Sequence, residues 1–463
     1  MGRKSFWIRL AGHAGFAVLL VLSVVLAQER VLFVDSAAQL FEMIQRGTFV
    51  IYDHRYTMAV TQLLPLLGIK LGLPMPVLVI LYSLSAPLLG YLAFLLLTYR
   101  VKDLPLALFL LLPLLCIRHT FFHAISETFS LMIYATLLLA LLRHRKNTIL
   151  HAVGVVLCSV ACIFMHPIGM FFVLFLLGYY LVDQHFRPSP ALLVGAATLV
   201  VAVIVKMSLS SGHDDSYLPS VADFLYYFSH PGEITILHQF TIRLPDLYLY
   251  PLALYAIAFV WHLRHRQWLR LGWGVAFNVG FFLLTAIVYH ADAGHVAVER
   301  AWLPLIFFAG VPVACEIIPV YRRYTQWVAL GAFLLLLLAY GKIADSSKQY
   351  RQRLVWLKTV VDEGRREGHR KLVAPLADVR DQFKVQSWAT AFETLILSSV
   401  EGPENTVTLY LEEDEPFNEN HPDYEVEDAY LAVPWNRLWN YSTLDPRYFQ
   451  LPTQRSTVIR KSP

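Results

Sequence analysis

Residues 11–40 read AGHAGFAVLLVLSVVLAQERVLFVDSAAQL, and this stretch decides the class of the fold. The run from 11 to 27 is almost wholly apolar and follows three basic residues, as a first membrane-spanning helix does. It also resembles a signal peptide, and on either interpretation Asp35 lies outside the cytoplasm. A carboxylate at the mouth of a helical membrane bundle is costly unless it has a partner or a function. The stretch therefore predicts a membrane protein with a candidate functional acid after its first span.

The composition changes sharply along the chain. Hydrophobic residues make up 57% of the 463 residues and the mean hydropathy is +0.51, which exceeds the usual apolar share of soluble domains. Residues 1–340 hold 37 charged residues and residues 341–463 hold 35, so the shorter part is much richer in charge. This step predicts a membrane domain over 1–340 and a soluble domain over 341–463. The basic excess of the membrane part is expected of cytoplasmic loops and indicates no nucleic-acid partner.

Eleven apolar runs are candidates for membrane-spanning helices. They cover approximately 11–27, 77–99, 104–117, 125–142, 149–165, 168–182, 191–209, 248–261, 271–289, 301–320 and 325–340. A further apolar segment, Met58–Leu73, is short and interrupted by polar residues, proline and glycine. If it does not span, the later basic clusters all fall on the side of Arg3 and Lys4, as the positive-inside rule requires. We therefore predict a cytoplasmic N-terminus, a juxtamembrane or re-entrant helix at Met58–Leu73, and an outer C-terminal domain.

The C-terminal part has the pattern of a small α/β domain. Helical periodicity covers 347–368 and 379–398, and short strands are predicted at 371–374 and 406–411. An acidic loop, Glu412–Asp428, follows, and the end of the chain is aromatic. These aromatic residues either pack the domain onto its neighbour or stack on sugar faces. The predicted fold class is an α-helical polytopic membrane protein of about 11 transmembrane helices with a small C-terminal α/β soluble domain.

Polar side chains collect in the loops that this topology places on the outer side, above all in the long first loop, 28–76. The candidate catalytic residues are Asp35 and Glu127, and the candidate substrate-binding residues are Asp53, His54, Arg55, His123, Glu299 and Arg300. An arginine can clamp a phosphate in two-pronged geometry, and a carboxylate can deprotonate an attacking hydroxyl. His166 stands at a third outer turn, where a tight turn with Pro167 is the simpler interpretation.

Each candidate also has a purely structural interpretation. Asp35 can be the N-cap of the helix that follows it, because aspartate is favoured there. Glu127 can pair with His123, which lies one helical turn away. Arg55 and Arg300 can be ordinary interfacial residues whose guanidinium groups reach toward water. The sequence alone leaves both interpretations open.

The layout of residues 1–340 resembles the GT-C superfamily of membrane glycosyltransferases, which use polyprenyl-phosphate-linked sugars. Phe33-Val34-Asp35-Ser36 stands where that family keeps its catalytic carboxylate. Glu299-Arg300-Ala301-Trp302-Leu303-Pro304 is similar to the Arg-Tyr-x-x-Pro run of several bacterial members. The chain departs from the family at Ser36, where a second acid is common, and at Ala301, which replaces the tyrosine.

The resemblance implies a GT-C-like fold, Asp35 as general base and Glu127 as a second acid. It implies Arg55 or Arg300 as the contact to the lipid phosphate. Some members of the family bind a divalent metal ion, but no ligand set in this sequence is convincing, so a metal is left open as a cofactor. The C-terminal domain is not covered by the resemblance.

We therefore expect an integral membrane glycosyltransferase. The partners would be the lipid bilayer, a polyprenyl-phosphate-linked sugar and a glycan, lipid or protein acceptor. A bacterial inner membrane with the site facing the periplasm is the expected location. Two alternatives from other classes stay open: a transporter or flippase for a lipid or small solute, and a non-catalytic scaffold that displays the C-terminal domain. Transporters often show internal repeats, and the sequence shows none at a fixed period.

Overall fold

The computed structural model describes residues 3–125, 127–144, 148–209, 220–291, 294–321, 324–379, 388–412, 429–432, 437–440 and 444–459. The helices of the first half are α1 (Arg3–Val25), α2 (Ala27–Val31), α3 (Val34–Arg46), α4 (Ala59–Lys70), α5 (Met75–Leu95), α6 (Leu104–Phe109), α7 (Glu127–Arg143), α8 (Ile149–Ile163), α9 (Gly169–Asp183) and α10 (Pro190–Leu209). Those of the second half are α11 (Val221–Ser229), α12 (Thr235–Arg243), α13 (Leu249–Arg264), α14 (Trp268–Val288), α15 (His295–Pro312), α16 (Ile318–Val320), α17 (Thr325–Arg366), α18 (Leu376–Val379) and α19 (Thr390–Ser399). The strands are β1 (Lys371–Pro375), β2 (Thr408–Glu412), β3 (Ala429–Ala432), β4 (Arg437–Asn440) and β5 (Thr457–Val458).

Long apolar helices dominate the chain, as its composition predicts. In the described part of the chain, seven stretches have the length and composition to cross a membrane: Phe6–Val25, Met75–Val101, Pro190–Leu209, Thr235–Arg264, Trp268–Val288, Val296–Val320 and Gln326–Arg366. Three shorter apolar stretches are Leu104–Cys116, Ile149–Ile163 and Gly169–Asp183. With α7, these stretches overlap all eleven predicted runs. The protein is therefore of the helical, membrane-spanning type, and the count of eleven spans stays a prediction.

One predicted span differs from a simple membrane helix. The run 104–117 forms α6 and then, after a turn, a 3-10 helix from Leu112 to Cys116. Pro113 lies at the start of that second segment, where it cannot continue an α-helical hydrogen-bond ladder. The interrupted run is shorter than the ~20 helical residues needed to cross the hydrocarbon.

The loop 28–76, which we predict to be the first outer loop, is largely helical. It contains α2, α3 and α4, and the last of these occupies the segment that we predict to be juxtamembrane or re-entrant. Gly47 ends α3 in the left-handed conformation, with φ of 59°, and its N–H donates to the Met43 carbonyl at 2.9 Å. Glycine adopts this conformation at no steric cost, so it closes the helix and turns the chain back.

Helix α17 joins the two predicted domains without a break. Its 42 residues extend for roughly 60 Å at 1.5 Å per residue, about twice the hydrocarbon thickness. The predicted boundary at 340/341 therefore falls inside one continuous helix, which combines the last predicted span with the first predicted helix of the tail.

The C-terminal domain contains a parallel sheet in the order β2-β1-β5. Strands β1 and β2 confirm the two strands predicted from the sequence, and α19 confirms the second half of the helix predicted at 379–398. Residues 380–387, and residues 413–428 of the predicted acidic loop, lie outside the described residues. Leu372, Val373 and Ala374 are buried, as expected of a strand covered on both faces.

The C-terminal domain packs directly on α3 of the first outer loop. The ring of Phe41 lies 4.8 Å from that of Phe392 in α19 and 5.6 Å from that of Phe449. The Asp445 N–H donates to the Gln45 side chain at 3.2 Å. At Phe449 the aromatic end therefore serves in domain packing, which is one of its two predicted roles.

Candidate functional site

The residue expected to act as base lies at the start of α3. Phe33 is the N-cap and makes no side-chain capping bond, so Asp35 lies within the first turn rather than at the capping position. The N-cap interpretation of Asp35 is therefore wrong. Its side chain is partly accessible, and a carboxylate in the first turn is favoured by the positive end of the helix dipole.

The next turn of α3 is tied to the membrane domain through a buried polar pair. The Tyr82 hydroxyl of α5 donates to the Gln39 side chain, and both residues are fully buried. Gln39 lies four residues after Asp35 and so shares its face of the helix.

The backbone before α7 is held by an acid that the sequence suggested as a substrate contact. The Glu299 carboxylate is fully buried and accepts three backbone N–H bonds, from Arg118 at 3.0 Å, His119 at 2.9 Å and Thr120 at 2.7 Å. A buried carboxylate needs such donors. This geometry favours an anchoring role for Glu299, since both of its oxygens serve the 118–120 turn.

The same segment is joined to the first outer loop. Arg30 of α2 donates to the Phe121 carbonyl at 2.9 Å and to the Ser83 carbonyl at 2.7 Å. The Ile125 N–H donates to the Ser36 hydroxyl at 3.4 Å. Ser36 follows Asp35, and Ile125 precedes Glu127 by two residues. The starts of α3 and α7 are therefore neighbours.

Glu127, at the start of α7, is the centre of an ion cluster. Its carboxylate is buried, with 4% of the side chain exposed. Arg55 contacts Oε1 at 2.6 Å, and Arg300 contacts Oε2 at 3.3 Å. His166 Nε2 lies 3.7 Å from Oε2. Three separate stretches of the chain thus converge on the carboxylate of a fourth, and we call Arg55, Glu127, His166 and Arg300 the outer cluster.

The two arginines of the outer cluster are not equivalent. Arg55 makes the shorter contact to Glu127 and also lies 3.7 Å from Asp53. The Arg300 side chain is 28% exposed, and within the described part of the chain its one ionic contact is to Glu127. The guanidinium group has five N–H donors, so Arg300 retains donors for an anion.

The Asp53-His54-Arg55 stretch forms an unusual turn. Asp53 and His54 both have positive φ, 48° and 55°, a conformation that aspartate and histidine tolerate better than most residues. The turn brings the Arg55 side chain to Glu127, while His54 Nδ1 lies 3.0 Å from the Tyr56 hydroxyl. Of the three, Arg55 contacts Glu127, and Asp53 contacts Arg55.

Two histidines near Glu127 are held in the neutral form. Burial lowers the pKa of His166 to about 3, and burial followed by the charge of Arg300 lowers the pKa of His123 to about 3. The Ile168 N–H donates to His166 Nδ1 at 3.1 Å, which leaves Nε2 as the protonated nitrogen facing Glu127. His166 is thus a member of the site that the sequence treated mainly as a turn residue.

His123 does not form the ion pair with Glu127 that the sequence allowed. Neither ring nitrogen has a hydrogen-bond partner in the described part of the chain, and the ring lies edge-on to Phe33 at 4.8 Å. A cavity of about 20 Å³, lined also by Arg30 and Thr120, adjoins His123. This space is large enough for one water molecule, which would satisfy a ring nitrogen.

Sequence reasoning missed the residues that support Asp35. Gln39 and Tyr82 are polar residues within apolar or mixed helices, and nothing in the sequence links them to Asp35. Glu393 and Arg353, which bind the backbone at Val34 and Leu32, belong to the predicted soluble domain. Arg30 was visible as a charge beside the first span, and burial lowers its pKa to about 9. In the described residues no group of three or more histidine, cysteine, aspartate or glutamate side chains is placed to hold a metal ion.

Comparisons with known proteins leave the site to be interpreted from its geometry. No protein-family model, no curated protein and no solved structure matches this chain.

Proposed function

We propose that the chain is an integral membrane glycosyltransferase that takes a sugar from a polyprenyl-phosphate-linked donor and passes it to an acceptor outside the cytoplasm. The observation that carries the proposal is the convergence of Arg55 and Arg300 on the buried Glu127 at the start of α7, next to the start of α3 with its partly accessible acid Asp35. An anionic leaving group and a base for a hydroxyl are the two needs of this reaction. The cluster and the acid supply them from adjacent helix starts.

In the proposed reaction the acceptor oxygen attacks the anomeric carbon of the donor sugar. The proton of the acceptor hydroxyl passes to the Asp35 carboxylate. The bond between the anomeric carbon and the phosphate oxygen breaks, and both of its electrons leave with polyprenyl phosphate. Because this is a single displacement, the anomeric configuration inverts.

In this proposal the residues of the outer cluster have different roles. Arg300 contacts the phosphate, since it is partly exposed and the described residues occupy only one of its guanidinium nitrogens. Glu127 holds the two guanidinium groups in place and limits their mutual repulsion. Arg55, which is less exposed and more tightly bound, positions Glu127. Asp53, 3.7 Å from Arg55, is the second acid that contacts this arginine.

The predicted topology supports the same proposal. All members of the outer cluster come from loops or helix ends that eleven spans would place outside. Charged residues at the loops and helix ends predicted on the cytoplasmic side pair with one another. Arg143 lies 3.4 Å from Asp103, and Arg270 lies 2.6 Å from Glu316. No ion pair of the described residues has to cross the bundle under this topology. A bacterial inner membrane with a periplasmic site is the proposed location.

The first test compares Asp35→Asn with the matched surface variant Asp345→Asn. The full chain is placed in lipid nanodiscs with a panel of undecaprenyl-phosphate-linked hexoses and pentoses, and released undecaprenyl phosphate is measured by mass spectrometry. We expect Asp35→Asn to lose turnover by about 10²- to 10⁴-fold, the usual contribution of a general base. Asp345→Asn should keep the activity of the unmodified chain.

A parallel test uses a strain that depends on this protein. Envelope glycans are profiled in the unmodified strain, in the deletion and in the Asp35→Asn strain, with membrane abundance measured alongside. A sugar missing in both altered strains supports transfer and names the donor. Unchanged glycans in the full deletion would reject the enzyme proposal for those glycans and turn attention to lipid or solute transport.

A further inference from the structure

The backbone that leads into Asp35 is held by the C-terminal domain. The Val34 N–H donates to Glu393 Oε1 of α19 at 2.7 Å, across 359 residues of sequence. The second carboxylate oxygen accepts from Arg353 of α17, and Arg353 Nη1 donates to the Leu32 carbonyl at 3.4 Å. Two side chains from beyond residue 341 therefore bind the backbone on both sides of Phe33.

The two side chains that make these contacts are buried and carry opposite charges. Glu393 is fully buried and Arg353 is 5% exposed. An acid at this depth is costly without a cation and further hydrogen-bond donors, and Glu393 has Arg353 and the Val34 N–H. The arrangement suits a rigid contact, because loss of either partner leaves a buried charge or an unpaired amide.

The backbone at Val34 is in a conformation that needs such support. Its φ is 39°, in the left-handed region, although valine is β-branched and disfavours that region strongly. Strained residues of this kind persist only where the surrounding structure determines them, and they concentrate at functional sites. Val34 immediately precedes Asp35, so the conformation of Val34 sets the direction in which the Asp35 side chain leaves the helix.

Phe33 extends the contact toward the outer cluster. Its ring is almost fully buried, lies 5.4 Å from the Arg353 guanidinium and packs edge-on against Tyr350 at 5.1 Å and His123 at 4.8 Å. A shift of the Leu32–Val34 backbone would therefore also move the Phe33 ring and disturb its packing against Tyr350 and His123.

We propose that Glu393, paired with Arg353, is a positioning residue that holds the Leu32–Val34 backbone in its strained conformation and so aims the Asp35 carboxylate. This inference rests on the proposed function for its catalytic consequence. It assigns a role to the C-terminal domain, whose Arg353 and Glu393 complete the site by holding the backbone of the first outer loop at Leu32–Val34.

The test uses the full chain in nanodiscs and two variants. Glu393→Gln keeps an acceptor oxygen but removes the charge, and Glu393→Gln/Arg353→Met also removes the cation that would otherwise be buried unpaired. The matched control is Glu401→Gln, which breaks the exposed contacts of the same domain to Lys358 and Arg365. Hydrogen exchange of the peptide covering residues 30–38 is measured with the release of undecaprenyl phosphate from the donor panel.

We expect exchange of the 30–38 peptide to rise in both variants and not in the control. The kcat should fall by on the order of 10- to 100-fold, while KM should change less than about twofold. The reason is that a wrongly oriented Asp35 carboxylate slows the chemical step and leaves donor binding intact. Glycine adopts positive φ without strain, so the loss caused by Glu393→Gln should be smaller in a Val34→Gly background.

Three results decide against the proposal. Unchanged exchange in folded variants would show that Glu393 does not hold this backbone. Faster exchange with unchanged kcat, or an equal loss with and without the Val34→Gly substitution, would reduce the contact to a structural role. If the unmodified chain releases no undecaprenyl phosphate, the proposed function fails, and the exchange rates still decide whether Glu393 positions the backbone before Asp35.

Discussion

The two ends of the helical bundle carry ion clusters of opposite design. In the outer cluster two arginines meet one carboxylate, Glu127, and one of them makes a single contact of 3.3 Å. At the other end two carboxylates, Asp183 and Glu316, meet one arginine, Arg270. We call these three residues the inner cluster.

The difference suggests what each end is suited to do. The inner cluster joins α9, α14 and the turn after α15, and the Tyr179 hydroxyl also donates to Glu316. Among the described residues Arg270 is shared by two acids, and His262 Nδ1 lies 3.9 Å from Glu316, which suits a rigid contact between helices. In the outer cluster the described residues bind Arg300 through one nitrogen, and a partly exposed arginine of this kind is what the proposed phosphate contact requires. The two clusters thus differ in which charge is in excess.

The largest expected effect is on the stability of the inner end. Arg270→Met should lower the free energy of unfolding by about 3–5 kcal/mol, because it leaves two acids near one another with their shared cation removed. Turnover per folded molecule should stay unchanged. Thermal unfolding in nanodiscs measures the first quantity, with the exposed Arg264→Met as control. A loss of turnover without a loss of stability would contradict a purely structural role for the inner cluster.

The second effect separates binding from folding at the outer end. Arg300→Ala should reduce donor turnover by about 100-fold, the usual result of removing one donor to a charged leaving group. Stability should change little, since Glu127 keeps Arg55. Arg300→Lys should recover only part of the activity, because lysine lacks the two-pronged geometry. The control is Arg351→Ala, which removes an exposed outer arginine paired with Glu29; an equal loss there would argue against a specific role for Arg300.

The smallest effect is a pH dependence confined to the outer end. The pKa values of His123 and His166 are lowered to about 3 from 6.5, so the unfolded chain binds more protons than the folded chain between those values. The free energy of unfolding should therefore be highest above pH 6.5. It should fall as the pH falls, by on the order of 1 kcal/mol per histidine at pH 5.5. Unfolding measured from pH 7.5 to 5 tests this. His119, in the turn before α7, has a pKa that burial lowers to about 4, so His123→Phe/His166→Gln should reduce the decline and leave the share of His119. A decline of unchanged size in the double variant would place its origin elsewhere.

Much of the fold could be predicted because long apolar runs and the density of charge are properties of the sequence itself. The helices that overlap the eleven runs, the short helix at 59–70 and strands β1 and β2 all follow from local patterns. The interruption of the run 104–117 depends on how Pro113 is accommodated among packed helices, which periodicity does not report. The continuity of α17 across residue 341 was also hidden, because charge changes there although the helix does not end.

The candidate site was predicted as a set of residues and not as an arrangement. Arg55, Glu127 and Arg300 could be named because charged residues near spans are rare, and the topology assigned them to one side. The sequence could not say that Arg55 and Arg300 share Glu127, that Glu299 binds backbone amides, or that His123 lacks a polar partner among the described residues.

The sequence by itself determined the helical membrane class of the protein and its division into apolar and charged parts, and it predicted the side on which its polar residues collect. These depend on transfer free energies, which sum over local composition. Only the tertiary structure decided which charges meet, since Arg55 and Glu127 are 72 residues apart and Val34 and Glu393 are 359 apart. Contacts across such separations depend on how helices pack, and that geometry is a property of the whole chain.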